Sequence, residues 1–408
     1  MGRILFKNAD LLDINHKSTP GFSLLVDEGR IIALERGDIE ADDIEQVIDA
    51  KGKTLMPGLI DAHVHLGVPA MNFAELANYP PSYCSIHAAT MAPLMLQQGF
   101  TTLRDAGGID YGLPKAIDAG LLDGPRLLFA QNIITKTGGH GDTRHQHAPI
   151  EPCACHFIND AILVADGIAA VRKATRETLR RGATQIKIAA SGGVITERNS
   201  IHAPAFSKEE IQAIVAEATD AETYVMAHAH GHEGIRRAIE AGVRTIEHCS
   251  FLNDELADLM VKHGTYMSPT VFIAQELVLD KSLPAVIREK AKVATDAMLA
   301  SLDLAYKKGV KVGFGSDAFG EPLPRHAEEF LIRAKHEDPY QVIIAATATN
   351  ADMLQQTGKL GVLQARAYAD LIIVDGDPLQ NIGLLADVQG TPIQLVMKAG
   401  RIYKNTLA

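Results

Sequence analysis

The chain has 408 residues, 47% of them hydrophobic, and no apolar run approaches the roughly 18 residues a helix needs to cross a bilayer, so a soluble globular chain is expected. A formal net charge of -11 argues against nucleic acid, whose phosphates call for clustered Lys and Arg. Four cysteines without a CxxC argue against a disulfide scaffold or zinc ribbon. Reduced thiols in a cytoplasmic protein are expected, and the N-terminus carries no export pattern. Cys153 and Cys155, followed by His156, are spaced too tightly for a good tetrahedral metal site.

Residues 1–57 read as short strands and turns: RILFKNADLL, FSLLVDEGRIIALE and QVIDAKGKTLMPG alternate in period two around Asp-Glu-Gly and Lys-Gly turns. From 58 to 358 the pattern becomes strand, loop, helix, repeated. Eight strands are predicted, at 59–66, 101–107, 126–134, 185–191, 224–230, 244–250, 266–271 and 311–318. Amphipathic segments separate most of them. Ser207 with Glu210 forms a capping box, and glycines 182, 242, 264 and 309 close helices before the next strand. Eight such copies predict an α/β chain with a (β/α)8 barrel. Residues 359–408 return to apolar strands, YADLIIVDGDP and IQLVMKAGRIYKN. The two terminal segments are expected to pair into a discontinuous β-sandwich domain.

In a barrel of this kind the functional groups sit at the C-terminal ends of strands. Six candidate metal ligands fall there: His63 and His65 in DAHVHLG, Lys187 in QIKIAAS, His228 in MAHAH, His248 in IEHCS and Asp317 in GFGSDAF. His63 and His65 are two residues apart on a strand and share a face, so both can grip one ion. Lys187 lies between Ile186 and Ile188, and burial of its amine would lower its pKa. A neutral amine can add carbon dioxide to give a carbamate able to bridge two metals. A carboxylate-paired lysine or a Schiff-base lysine are the alternatives. The company of four histidines and an aspartate favours the carbamate. His228 and His248, one helix and one strand apart, can share an ion, and imidazole suits zinc. Asp317 can act as general base beside a metal; its alternative is an N-cap for the following helix.

These positions, with FKNADLLD, PGLIDAHVH, GFTTLRDAGG, TKTGGHGD, IKIAASGGV, GVRTIEHCSFLND, ADLIIVDGDPL and VMKAGRIY, resemble the amidohydrolase superfamily over nearly the whole chain. The resemblance is to its imidazolonepropionase-like branch of binuclear zinc dipeptidases and carboxypeptidases, prolidase-like or Xaa-Arg/Lys carboxypeptidase-like. It implies two zinc ions, one held by His63, His65 and Asp317, the other by His228 and His248, with N6-carboxylated Lys187 bridging both. It further implies attack by a metal-bridging hydroxide on the scissile carbonyl, with Asp317 passing the proton to the leaving amine. His140 matches a histidine that polarises the carbonyl or steadies the oxyanion. His230 stands where prolidase-like members carry a tyrosine that holds the substrate carboxylate. It could instead be a further zinc ligand.

Arg198, His202, Arg325 and His326 follow the fourth and eighth strands, where an arginine could clamp a carboxylate bidentately. Glu197 and Glu321 would suit a cationic substrate group. The expected reaction is hydrolysis of dipeptides or N-acyl amino acids. Aryl amides, carbamates and ureas are the alternative substrates, and Lys187 disfavours cyclic-amide hydrolysis at a single metal. A homo-oligomer is expected from the family, although no interface is legible.

Overall fold

In a computed structural model of the chain, residues 2–76, 79–142, 144 and 161–407 are described; Cys153, Cys155 and His156 lie outside them. Five strands open the chain: β1 (Arg3–Leu11), β2 (Thr19–Asp27), β3 (Arg30–Arg36), β4 (Ile44–Asp49) and β5 (Thr54–Pro57). Nine follow: β6 (Leu59–Val64), β7 (Phe100–Asp105), β8 (Arg126–Phe129), β9 (Ile133–Thr135), β10 (Ile162–Val164), β11 (Ile186–Ala189), β12 (Val225–Ala229), β13 (Thr245–His248) and β14 (Tyr266–Ser268). The last three are β15 (Leu371–Val374), β16 (Ile393–Lys398) and β17 (Arg401–Asn405).

The strands from the two chain ends join in one eight-stranded sheet, ordered β17-β16-β15-β5-β1-β2-β3 with β4 on β1. Antiparallel pairing of β5 with β15, from Thr54↔Val374 to Pro57↔Leu371, makes the connection. The apolar run of β15 is buried on both faces. Leu371 and Ile373 pack with Phe6, Leu24 and Leu395, while Ile372 and Val374 pack with Leu96 and Phe100. Such double burial replaces alternation by a continuous apolar run. The expectation was a discontinuous β-sandwich; the pairing observed joins the strands of both chain ends in one hydrogen-bonded sheet.

The middle of the chain forms two parallel sheets, β10-β9-β11-β12-β13-β14 and β6-β7-β8. The predicted strand 126–134 is divided in two where Gln131 adopts φ 65°. The segment 311–318 is not a regular strand. Isolated parallel bridges, Met267↔Val312 and Val64↔Ala318, set it between β14 and β6. Glycines 313 and 315 weaken regular pairing there, and Asp317 turns the chain with φ 55°. The eightfold pattern is therefore present as parallel strands in two sheets joined through this segment, and β10 was not anticipated.

Helices Ile168–Arg180, Lys208–Asp220, His232–Glu240, Asp254–His263 and Ala285–Lys308 fall in the amphipathic segments. The capping box at Ser207 and Glu210 has both of its hydrogen bonds, and Gly264 and Gly309 cap their helices in the left-handed region. Ile186, Ile188, Ala227 and Ile246 turn outward onto Ile211, Ile214, Ile235 and Leu256 of these helices. The opposite face of the same strands is left for polar side chains.

Candidate metal centre

Alternation along β6 puts Asp61, His63 and, just past its end, His65 on one face. On β12 the same rule groups His228 with His230. β13 breaks it: alternation alone would send Glu247 and His248 to opposite faces. His248 has φ 69° and Cys249 φ 50°, which turns the strand end so that both Glu247 and His248 reach the site. Asp317, also left-handed, arrives from the segment beside β6.

One group forms around Asp317. Its Oδ1 lies 3.2 Å from His63 Nε2 and 3.1 Å from His65 Nε2. The other ring nitrogens are engaged: His63 Nδ1 donates to Glu247 Oε2 at 2.7 Å and His65 Nδ1 to the Gly107 carbonyl at 2.7 Å. Arg104, fully buried, holds both Glu247 carboxylate oxygens at 3.0 Å. Burial opposes ionisation of Asp317 and Glu247, yet the imidazoles around Asp317 and Arg104 beside Glu247 hold both carboxyls below their ordinary range. Burial also opposes charge on His65, but Asp317 outweighs it and raises that imidazole.

A second group contains His228, His230 and His248. His230 Nδ1 meets Ser250 Oγ at 2.7 Å, His248 Nδ1 meets Thr270 Oγ1 at 2.6 Å, and His228 Nε2 donates to the Gly192 carbonyl at 3.1 Å. Burial first, then neighbouring imidazoles, pushes His228 well down and His230 to about 3; burial pushes His248 well down too. His140 stacks on His228 with ring centroids 4.2 Å apart, and burial lowers it to about 4. Lys187 joins the groups: its Nζ is 3.0 Å from His63 Nε2, and burial lowers the amine to about 8.

The six predicted ligands thus converge, with His140 and His230 beside them. The loop groups do not. Arg198 and His202 are exposed, and the His202 ring sits against Phe251 with centroids 4.5 Å apart. Arg325 is ion-paired with Glu276 and, at 3.7 Å, with Glu328. His326 is fully buried between Asp61 Oδ2 (2.9 Å) and Gln98 Oε1 (3.0 Å), away from the pocket. Glu197 and Glu321 are exposed. Sequence reasoning missed Glu247 and Arg104, although opposite charges in two apolar central strands, TTLRDAG and RTIEHCS, are a signal for a buried pair.

Ligand atoms of His63, His248 and Asp317 lie within 4.8 Å of one another, as do those of His228, His230 and His248. Each imidazole has one nitrogen tied to protein, the arrangement by which metal-binding histidines are oriented. The donor set of imidazole and carboxylate, with a depressed lysine amine between the groups, therefore fits divalent ions. The pocket above it is walled by Val68, Leu76, Ile133, Ile162, Ile195 and Phe319.

The amidohydrolase family model matches residues 54–403. Ochratoxinase of Aspergillus niger is 31% identical over 368 residues, 86% of this chain and 75% of that protein. A solved prolidase complexed with N-methylphosphonate-L-proline is 37% identical, with TM-score 0.95 over 99% of this chain and 100% of the other. A Xaa-Pro dipeptidase with methionine in its active site is 32% identical, with TM-score 0.88 and the same coverage. The chain belongs to the amidohydrolase family, with prolidase-like enzymes among its structural neighbours.

Proposed function

We propose that this amidohydrolase is a zinc-dependent enzyme that cleaves the amide bond of dipeptides or N-acyl amino acids. The observation that carries the reading is the convergence of His63, His65, Lys187, His228, His248 and Asp317 beneath one apolar-walled pocket. His63, His65 and Asp317 would hold one ion and His228 and His248 the other. When bound, such ions activate water and polarise a carbonyl. The parallel strands, with 311–318 closing between β14 and β6, support a (β/α)8-type barrel at 58–358. Segments 1–57 and 359–408 then make up the second domain.

Lys187, once carboxylated, would be the anionic ligand for these ions. Lowering its amine to about 8 raises the neutral fraction at neutral pH by roughly two orders of magnitude. The neutral nitrogen forms an N–C bond to carbon dioxide and loses a proton, leaving a carboxylated lysine. Asp317 takes the proton of the attacking water and hands it to the departing amine, a transfer that its placement beside His63 and His65 suits. His140, neutral near pH 7, donates a hydrogen bond to the substrate carbonyl and to the oxyanion that follows. His230, beside His228 and His248, would meet a substrate carboxylate, and the apolar wall would receive the acyl side chain.

The second reading, hydrolysis of aryl amides, carbamates or ureas, draws on two observations. No arginine lines the pocket among the described residues, and ochratoxinase is a relative. A screen of zinc-loaded protein against dipeptides, N-acyl amino acids, aryl amides and carbamates decides between them. Cleavage of free-acid dipeptides is expected; turnover confined to aryl amides or carbamates would overturn the first reading.

A further inference from the structure

We infer that Thr196 is a positioning residue that selects the tautomer of His140, donating its hydroxyl hydrogen to Nδ1 so that the proton resides on Nε2. The inference deepens the role of His140 proposed above and rests on it. Thr196 lies in the loop between β11 and the helix Lys208–Asp220. Its Oγ1 is 3.0 Å from His140 Nδ1 and accepts the Gly141 N–H at 3.1 Å. A hydroxyl has one hydrogen to give, and Gly141 can only donate. Among the described residues, the acceptor within reach of that hydrogen is Nδ1. A neutral imidazole that accepts at Nδ1 carries its proton at Nε2, where it can donate into the pocket that His140 lines.

The rest of the loop holds the ring in the same pose. Gly193 approaches one side so closely that a Cβ there would lie 2.2 Å from His140 Nδ1, while the ring stacks on His228, 12° from parallel. No residue larger than glycine fits at 193 without moving the imidazole. The loop is itself rooted. Lys290, on the helix Ala285–Lys308, donates to the carbonyls of Thr196 (2.9 Å), Glu197 (3.0 Å) and Asn199 (2.5 Å). Asn199 Nδ2 donates in turn to the Gly138 carbonyl at 2.8 Å, two residues before His140. The loop that supplies Thr196 and the loop that carries His140 are therefore joined on both sides of the ring.

The test is ¹⁵N NMR of the zinc-loaded protein labelled at histidine, with the His140 signals assigned by their loss in His140→Asn. The wild type and Thr196→Ser are expected to show an unprotonated Nδ1 and a protonated Nε2. Thr196→Val, which keeps the shape and removes the hydroxyl, should lose that preference. It should also lose roughly 10- to 100-fold in kcat while KM and zinc content stay near wild type, and Thr196→Ser should restore kcat to within about threefold. A protonated Nδ1 in the wild type overturns the inference whatever the kinetics, and this measurement stands even if Thr196→Val does not fold. The expected tautomer together with unchanged kcat in both Thr196→Val and His140→Asn would leave the tautomer assignment intact and overturn the catalytic role of His140.

Discussion

The two histidine groups of the site use the same side chain with opposite support. Around His63, His65 and Asp317 the backing is ionic at His63, where Glu247 accepts and is itself held by the buried Arg104, while His65 donates to the Gly107 carbonyl. Around His228, His230 and His248 the backing is neutral, from the hydroxyls of Ser250 and Thr270 and the carbonyl of Gly192. A carboxylate behind an imidazole makes it a stronger donor toward a cation, whereas a hydroxyl or carbonyl mainly fixes its orientation. The first group therefore offers its own negative charge to a metal, and in the function proposed above the second would share an anionic ligand. Lys187, whose Nζ is 3.0 Å from His63 Nε2, is the residue proposed to become one.

Variants can break this asymmetry. The largest effect is expected at Asp317, which belongs to the ionic group and is proposed to carry the proton: Asp317→Asn should lower kcat about 10³-fold. A loss under tenfold, measured at saturating substrate, would remove it as the general base. Next, Glu247→Gln should weaken metal binding roughly 10- to 100-fold and destabilise the fold by about 3 kcal/mol, because Arg104 is left buried without its counter-ion. Thr270→Val, its counterpart in the neutral group, should weaken metal binding only a few-fold. Equal losses in metal titrations of the two variants would erase the distinction between the groups.

Smaller effects sharpen the substrate side. His230→Ala should raise KM for free-acid substrates about tenfold and barely change it for their C-terminal amides. Equal changes on both would assign His230 to the metal or to structure. Arg325→Ala should change KM less than about twofold, because its guanidinium is already held by Glu276 and Glu328. A tenfold rise for free acids would return Arg325 to the carboxylate clamp.

The strand-end histidines were legible because period-two alternation and helix-length spacing specify which side chains share a rim. Lys187 was legible for a related reason, as a cation between two isoleucines of a central strand. The role of Glu247 was not. By alternation it should face away from His248, and only the left-handed backbone at His248 and Cys249 turns both inward. Arg325 misled for the converse reason. Its segment winds into a short 3-10 helix, Leu323–Glu328, that delivers the side chain to Glu276 and not to the pocket. In the fold, the pairing of the two chain ends followed from matching apolar strands. The irregular 311–318 segment did not, since its glycines and the turn at Asp317 replace ladder pairing with two isolated bridges.

The central claim is that Lys187 becomes the anionic bridge the neutral group lacks, and metal-free protein incubated with ¹³C-bicarbonate and then with zinc tests it most directly. With the amine near 8, the neutral form that reacts falls about tenfold for each pH unit below that value, so the reaction weakens as pH drops. The account predicts a ¹³C carbamate signal much stronger at pH 8.5 than at pH 6.5, two zinc ions per chain afterwards, and neither the signal nor the second ion in Lys187→Ala. A wild-type protein that binds two ions with no carbamate signal, or a Lys187→Ala variant that keeps both, would contradict it.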